Sequence, residues 1–273
     1  MANPVFNRSP IFSEKAAARA AAAPPVPTAG QLQQQYQAPS PSADEMGRMT
    51  YEDTLVKTGV SFAILLVGAV IGWMLGSYLI VTIGAAIIGL VLGLVNTFKR
   101  EPSPALILAY AFFEGVFVGG ISMVYTILFG STIVPMAVFG TLGVVGVTLA
   151  LFASGKVRAS KRATQIFMVA IFGYAAFSLV NLGLMLTGVT DSMFGLRDVE
   201  IGNTGIPLGV PLGILVVLLA AYSLVLDFDG IKRGVTNGAA RKYGWTAAFG
   251  LMVTVVWLYL EILRLIALVM GRR

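Results

Sequence analysis

The 273-residue sequence contains no cysteine and no histidine. The first absence excludes disulfides, thiolate catalysis and cysteine-based metal sites. The second removes the commonest metal ligand and the usual switch near neutral pH, so any proton chemistry falls to carboxylates. Charge is scarce as well. Only 12% of residues are Asp, Glu, Lys or Arg, against about 25% in ordinary soluble domains. That scarcity excludes a soluble globular enzyme. With 57% hydrophobic residues and a mean hydropathy of +0.84, the chain as a whole is not disordered either. No nucleic-acid partner is expected, because the bases behind the net charge of +6 sit in short loops between apolar stretches.

What the sequence does have is a succession of apolar runs, each long enough to cross a bilayer. Seven spans are predicted, at roughly 58–76, 78–98, 104–128, 132–153, 163–187, 207–229 and 245–270. The fold class is therefore all-α, a polytopic membrane protein whose partner is the lipid bilayer. Gly76-Ser77-Tyr78 must turn tightly between the first two spans. Pro104, Pro135, Pro207 and Pro211 fall at span starts, where proline is best tolerated. Residues 1 to about 50 differ from the rest. Runs such as Ala16–Pro27 and Gln31–Ser42 bury too little apolar surface to offset their ordering entropy, and read as a disordered cytoplasmic tail. Arg19 and Pro24-Pro25 break the Ala run, so it is not a signal peptide. The domain division is thus 1–50, tail, and 51–273, membrane domain.

Orientation follows from the short loops. Lys99 and Arg100, then Lys156, Arg158, Lys161 and Arg162, then Lys232, Arg233, Arg241 and Lys242 place ten positive charges in alternate loops on one side. The 5/6 loop opposite has only Arg197 against Asp191, Asp198 and Glu200. Seven spans with a cytoplasmic N-terminus fit this pattern, with Arg272 and Arg273 as a small exception outside. The missing Cys and the Ala/Gly/Val-rich spans lean towards a bacterial plasma membrane. Glycines recur every four residues at Gly68/Gly72/Gly76, Gly89/Gly93, Gly115/Gly119 and Gly205/Gly209/Gly213. Small residues at this spacing let helices approach, and we read them as packing signals without functional weight.

Four of the 13 acidic residues lie inside spans: Glu114, Asp227, Asp229 and Glu261. Arg264 lies inside one too. Each costs about 2.5–3.5 kcal/mol on the insertion scale, so each needs a partner or a polar cavity. Glu114 is ten residues past Pro104, about 15 Å along its helix and near mid-bilayer. It is either a protonated Glu bonded to backbone or a pathway carboxyl. Asp227 and Asp229, two apart, face roughly opposite sides of a helix. Either can be a helix-end charge paired with Lys232 or Arg233, and only one can face a central cavity. Glu261 and Arg264, three apart, can pair with each other. Span 245–270 is longer than one crossing needs, so a break is expected at Gly250, leaving Tyr243–Phe249 with Trp245 as an interfacial anchor. Glu261 would then lie near the midplane, able to meet a span-six carboxylate. Two carboxyls in contact titrate as a unit, and such a pair suits Ca²⁺, which prefers oxygen ligands.

Three segments carry a resemblance. Glu114-Gly115-Val116-Phe117-Val118-Gly119-Gly120-Ile121-Ser122, Leu226-Asp227-Phe228-Asp229 and Leu258-Tyr259-Leu260-Glu261 resemble motifs of the Bax inhibitor-1 family, the transmembrane Bax inhibitor motif proteins, in the matching spans and order. The resemblance covers about 55–270. It implies a seven-transmembrane-helix bundle with the last helix central, and a carboxylate pair from helices six and seven, here Asp227 and Glu261, acting as a pH sensor of a Ca²⁺ leak. Glu stands here where the family has Asp. The expected function is thus a pH-sensitive cation leak with Asp227 and Glu261 as sensor and tentative Ca²⁺ ligands, Arg264 as competing partner and Glu114 on the pathway. No cofactor is expected beyond Ca²⁺ as permeant ion, and no enzymatic activity: a Gly-x-Gly-Asp protease site is absent. The alternatives are a proton-coupled small-solute transporter, and a non-transporting regulator that binds other membrane proteins in stress or proteolysis.

Overall fold

In the computed structural model, residues 28–30, 33, 46–190, 192–202 and 204–271 are described. The predicted tail lies outside them except for residues 28–30, 33 and 46–50, as do Asp191, Arg272 and Arg273. The chain divides into two units, Met1–Ser42 and Ala43–Arg273, and among the described residues every long helix belongs to the second.

Among the described residues, seven helices are long and apolar enough to cross a membrane. They are α1 (Tyr51–Leu75), α2 (Leu79–Phe98), α3 (Pro104–Phe129), α4 (Ile133–Ala153), α5 (Lys161–Leu186), α6 (Gly209–Thr236) and α7 (Gly244–Met270). The protein is an integral, multi-pass membrane protein. Its helix starts follow local chemistry. The Thr50 hydroxyl accepts from the Asp53 amide at 3.2 Å, with Glu52 and Asp53 in the first turn, where carboxylates offset the helix dipole. This cap starts α1 seven residues before the predicted apolar run. Ser160 caps α5 in the same way, and Pro104 opens α3. At the same end of the bundle, α6 continues to Thr236 and carries Lys232 and Arg233 on its last turns rather than in a loop.

Helix α7 is central. It packs on α6, α1, α4 and α3, and Met252, Leu258, Leu263 and Ala267 are buried in the core. The expected break at Gly250 does not occur, since α7 runs unbroken through 27 residues. A lone glycine costs a helix only about 1 kcal/mol, too little to end one held on four sides. Helix α5 is the opposite case. Its buried residues are Phe167 and Asn181 alone.

Lipid tails give little hydrophobic drive between helices, so close packing must do that work. The seam between α1 and α3 is where it is closest. A Cβ at Gly68 or Gly72 would collide with the backbone of Phe112 or Val116, and one at Gly115 or Gly119 with that of Leu65 or Ala69. The two predicted glycine pairs therefore interlock. Gly205 is different: it lies in the 5/6 loop with φ +70°, outside any helix. Ahead of α1, the Met49 amide donates to Ala239 O (2.7 Å) and the Arg241 amide to Gly47 O (2.9 Å), so residues 47–49 are tied to the 6/7 loop.

Candidate functional site

The five in-span ionisable residues fall into three places. Glu114 and Asp227 line one cavity of about 610 Å³ between α2, α3, α6 and α7. The cavity follows α2 from Ala86 to Thr97, and so reaches the helix end beside the basic 2/3 loop. Asp227 accepts a hydrogen bond from the Thr254 hydroxyl at 2.7 Å, and that hydroxyl lies 3.4 Å from Ser223 Oγ. Glu114 has no hydrogen bond or ion pair among the described residues. Neither carboxyl has a cationic partner among the described residues. Room for them comes from glycines: a Cβ on Gly89 would stand 2.9 Å from Glu114 Oε2, and one on Gly250 would stand 3.4 Å from Asp227 Oδ1. Gly89 and Gly93, read from spacing as packing residues, therefore line the cavity that holds the two carboxyls. Tyr110, also in the lining, packs edge-on against Phe249.

Glu261 and Arg264 lie towards the other end of α7. Arg264 Nη1 donates to Glu261 Oε2 at 2.5 Å, which is the self-neutralising pair their spacing allowed. The Tyr174 hydroxyl of α5 donates to the same oxygen (2.8 Å) and accepts from Arg264 Nη1 (3.2 Å) and from Arg197 Nη2 (2.9 Å). Arg197 comes from a 3₁₀ turn, Gly195–Asp198, in the 5/6 loop. It is buried, also donates to Ser178 Oγ (3.1 Å), and stacks over Tyr174 and Phe177. Its Nε has no hydrogen-bond partner among the described residues. The turn is held by Asn181, which accepts from the Leu196 amide (2.6 Å) and donates to Phe194 O (3.2 Å). Asp229, the fifth residue, pairs with Arg233 one turn on at 3.1 Å.

The in-span Glu on α3 and the acids on α6 and α7 belong to the three motifs, and seven apolar spans with a central last helix are the fold the resemblance implied. A family model described as Bax inhibitor 1 like matches residues 3–271. The chain belongs to that family. Comparison with curated proteins returns no match.

In this Bax inhibitor 1 like protein the expected helix-six/helix-seven carboxylate pair is not formed. Asp227 meets α7 at Thr254, and Glu261 lies seven residues further on, about 10 Å along the axis on the same face. The expectation rested on a break at Gly250 that would lift Glu261 to mid-membrane. With α7 unbroken, Glu261 is 17 residues past Gly244, about 25 Å along, beside the 5/6 loop. Asp227 and Glu261 therefore do not share a cation site, and the carboxyl that joins Asp227 in its cavity is Glu114. Thr254, Tyr174 and Arg197 were missed. Tyr174, Ser178 and Asn181 form a polar stripe at helical spacing in an otherwise apolar span, which was the available signal. Arg197 was visible only as the lone base of an acidic loop.

Proposed function

We propose that the protein is a pH-sensitive leak pathway for cations, Ca²⁺ first among them. The observation that carries this reading is the pair of carboxyls, Glu114 and Asp227, in one cavity with no cationic partner. Groups so costly to insert are retained where they serve a pathway. Their oxygens, with the hydroxyls of Thr254 and Tyr110 and added water, make a hard oxygen environment suited to Ca²⁺. Among the described residues no third acidic residue converges there. A two-carboxylate site binds weakly enough to release what it admits, as conduction requires.

With the basic loops in the cytoplasm, the cavity faces the cytoplasm and the Glu261–Arg264–Tyr174–Arg197 cluster closes the outer end. Between them lie the buried Leu258 and the Ser122–Tyr259 hydroxyl pair. The two ends respond to protons differently. At the cavity, protons compete with the cation for the same carboxyl oxygens. At the cluster, protonating Glu261 removes the charge that holds Arg264.

The test is Ca²⁺ entry into proteoliposomes across pH 5–8. Asp227→Asn should lower flux about tenfold or more by removing one of two site charges. Glu261→Gln should raise flux and flatten its pH profile. Absence of flux from folded wild-type protein, with K⁺ and Na⁺ also tested, would overturn the leak reading.

A further inference from the structure

A smaller pocket with a polar lining, of about 230 Å³, lies at the basic end of the bundle between the end of α4 and the last turns of α6. It is lined by Phe152, Arg158, Asp229, Lys232, Arg233, Thr236 and Asn237. Three cations face one carboxylate. Asp229 is taken up by Arg233, whose Nε lies 3.1 Å from Oδ2. Arg158 and Lys232 form no ion pair or hydrogen bond through their charged groups among the described residues. The pocket thus has two uncompensated positive charges in a space sized for a phosphate group.

Its position narrows the anion further. It sits where α4 and α6 leave the apolar layer, and its floor is Phe152, packed at 5.7 Å on Phe228 of α6. Just below, Leu149 of α4, three residues before Phe152 and on the same side of the helix, is exposed. A free phosphate needs only the charges. A phosphate esterified to diacylglycerol also finds an apolar seam for its chains in continuity with the charged pocket.

We propose that this pocket binds the phosphate of an anionic phospholipid, held by Arg158, Lys232 and Arg233. Basic pockets between membrane helices recognise headgroups in this way, each cation adding to the attraction near a charged surface. Asp229 gains a role that its sequence left open. It holds the Arg233 side chain at its Nε, so the terminal nitrogens are not taken up by that pairing. The site does not depend on the leak reading, because binding is measured without flux.

The test is native mass spectrometry of the full-length protein in detergent, titrated with phosphatidylglycerol and with phosphatidylcholine of the same chains. The wild type should retain the anionic lipid preferentially. The Arg158→Gln/Lys232→Gln variant should lose that preference by roughly 10- to 30-fold, and Lys232→Glu alone should lose it as well. Lys99→Gln/Arg100→Gln, on the same face but outside the pocket, should keep it. Thermal unfolding of each variant confirms that these exposed substitutions leave the fold intact. Equal retention of the two lipids by wild type would overturn the proposal. So would an equal loss in the Lys99/Arg100 variant, which would mean general attraction to a basic face. Displacement of the lipid by inorganic phosphate would overturn the lipid assignment in favour of a free-anion site.

Discussion

At the scale of single residues, the two ends of α7 handle charge in opposite ways. Glu261 is 4% exposed at its side chain and is matched by Arg264. Removing one partner of such a pair strands the other, at a cost of about 3–5 kcal/mol, whereas replacing both with apolar groups of similar size is close to neutral. Arg264→Met should therefore destabilise the protein strongly, and Glu261→Leu/Arg264→Met should recover most of the loss, as read by thermal unfolding in detergent. Arg197 makes the cluster more than a pair. Tyr174→Phe removes a hydroxyl serving two guanidiniums and one carboxylate. It should cost about 2–3 kcal/mol, because hydrogen bonds to charged groups are worth more than neutral ones. The in-span acids themselves were legible, since a charge in an apolar run is conspicuous. Their partners were not. Which residue faces Asp227 depends on the rotation and rise of α7, and a wrong break at Gly250 moved Glu261 by two helical turns.

At the scale of elements, the glycine spacing was legible as packing, and the α1/α3 seam is that packing. The same spacing on α2 makes space for Glu114, and nothing in the residues distinguished the two uses, because both require only a missing Cβ. The seam yields a graded prediction. Gly119→Ala drives a methyl into the Ala69 backbone, and overpacking of this kind costs about 1–3 kcal/mol. Gly143→Ala on α4 meets nothing within 4 Å and should be neutral or slightly stabilising through helix propensity. Thermal unfolding of the two variants side by side checks the contrast. The loops give a pH prediction. Lys242 Nζ donates to Glu101 Oε1 at 2.8 Å, linking the 6/7 and 2/3 loops. The ammonium holds the Glu101 carboxyl below its ordinary range through that hydrogen bond and its charge. The contact is fully present above the ordinary Glu value and is lost as pH falls through the lowered one. Lys242→Gln should shift the Glu101 titration upward in a carboxyl-carbon NMR experiment. Because the pair is exposed, salt should weaken the difference.

At the scale of the whole molecule, the count of spans, their order and the alternation of basic loops were all open to reading, because bilayer thickness and the positive-loop rule act on sequence directly. How tightly each helix is held was not, since every span looks equally apolar. Helix α7 is enclosed by four neighbours, while α5 is held mainly through Tyr174, Ser178, Asn181 and the Thr164–Tyr222 contact. Local opening follows such differences in packing. Amide hydrogen exchange should be slowest in α7 and fastest, among the seven spans, in α5. Equal protection in the two would contradict the packing order. The root of the N-terminal segment has a mechanical consequence. Gly47 and Met49 are bonded to the 6/7 loop, and Asp53 binds both Arg241, at 2.9 Å, and Lys57, whose ammonium donates to Arg241 O. Three residues after Arg241 the axis of the bundle begins. A pull on the chain ahead of Gly47 is thus delivered to the shaft at the centre of the bundle rather than to its outer wall. The tail's root is a handle on α7.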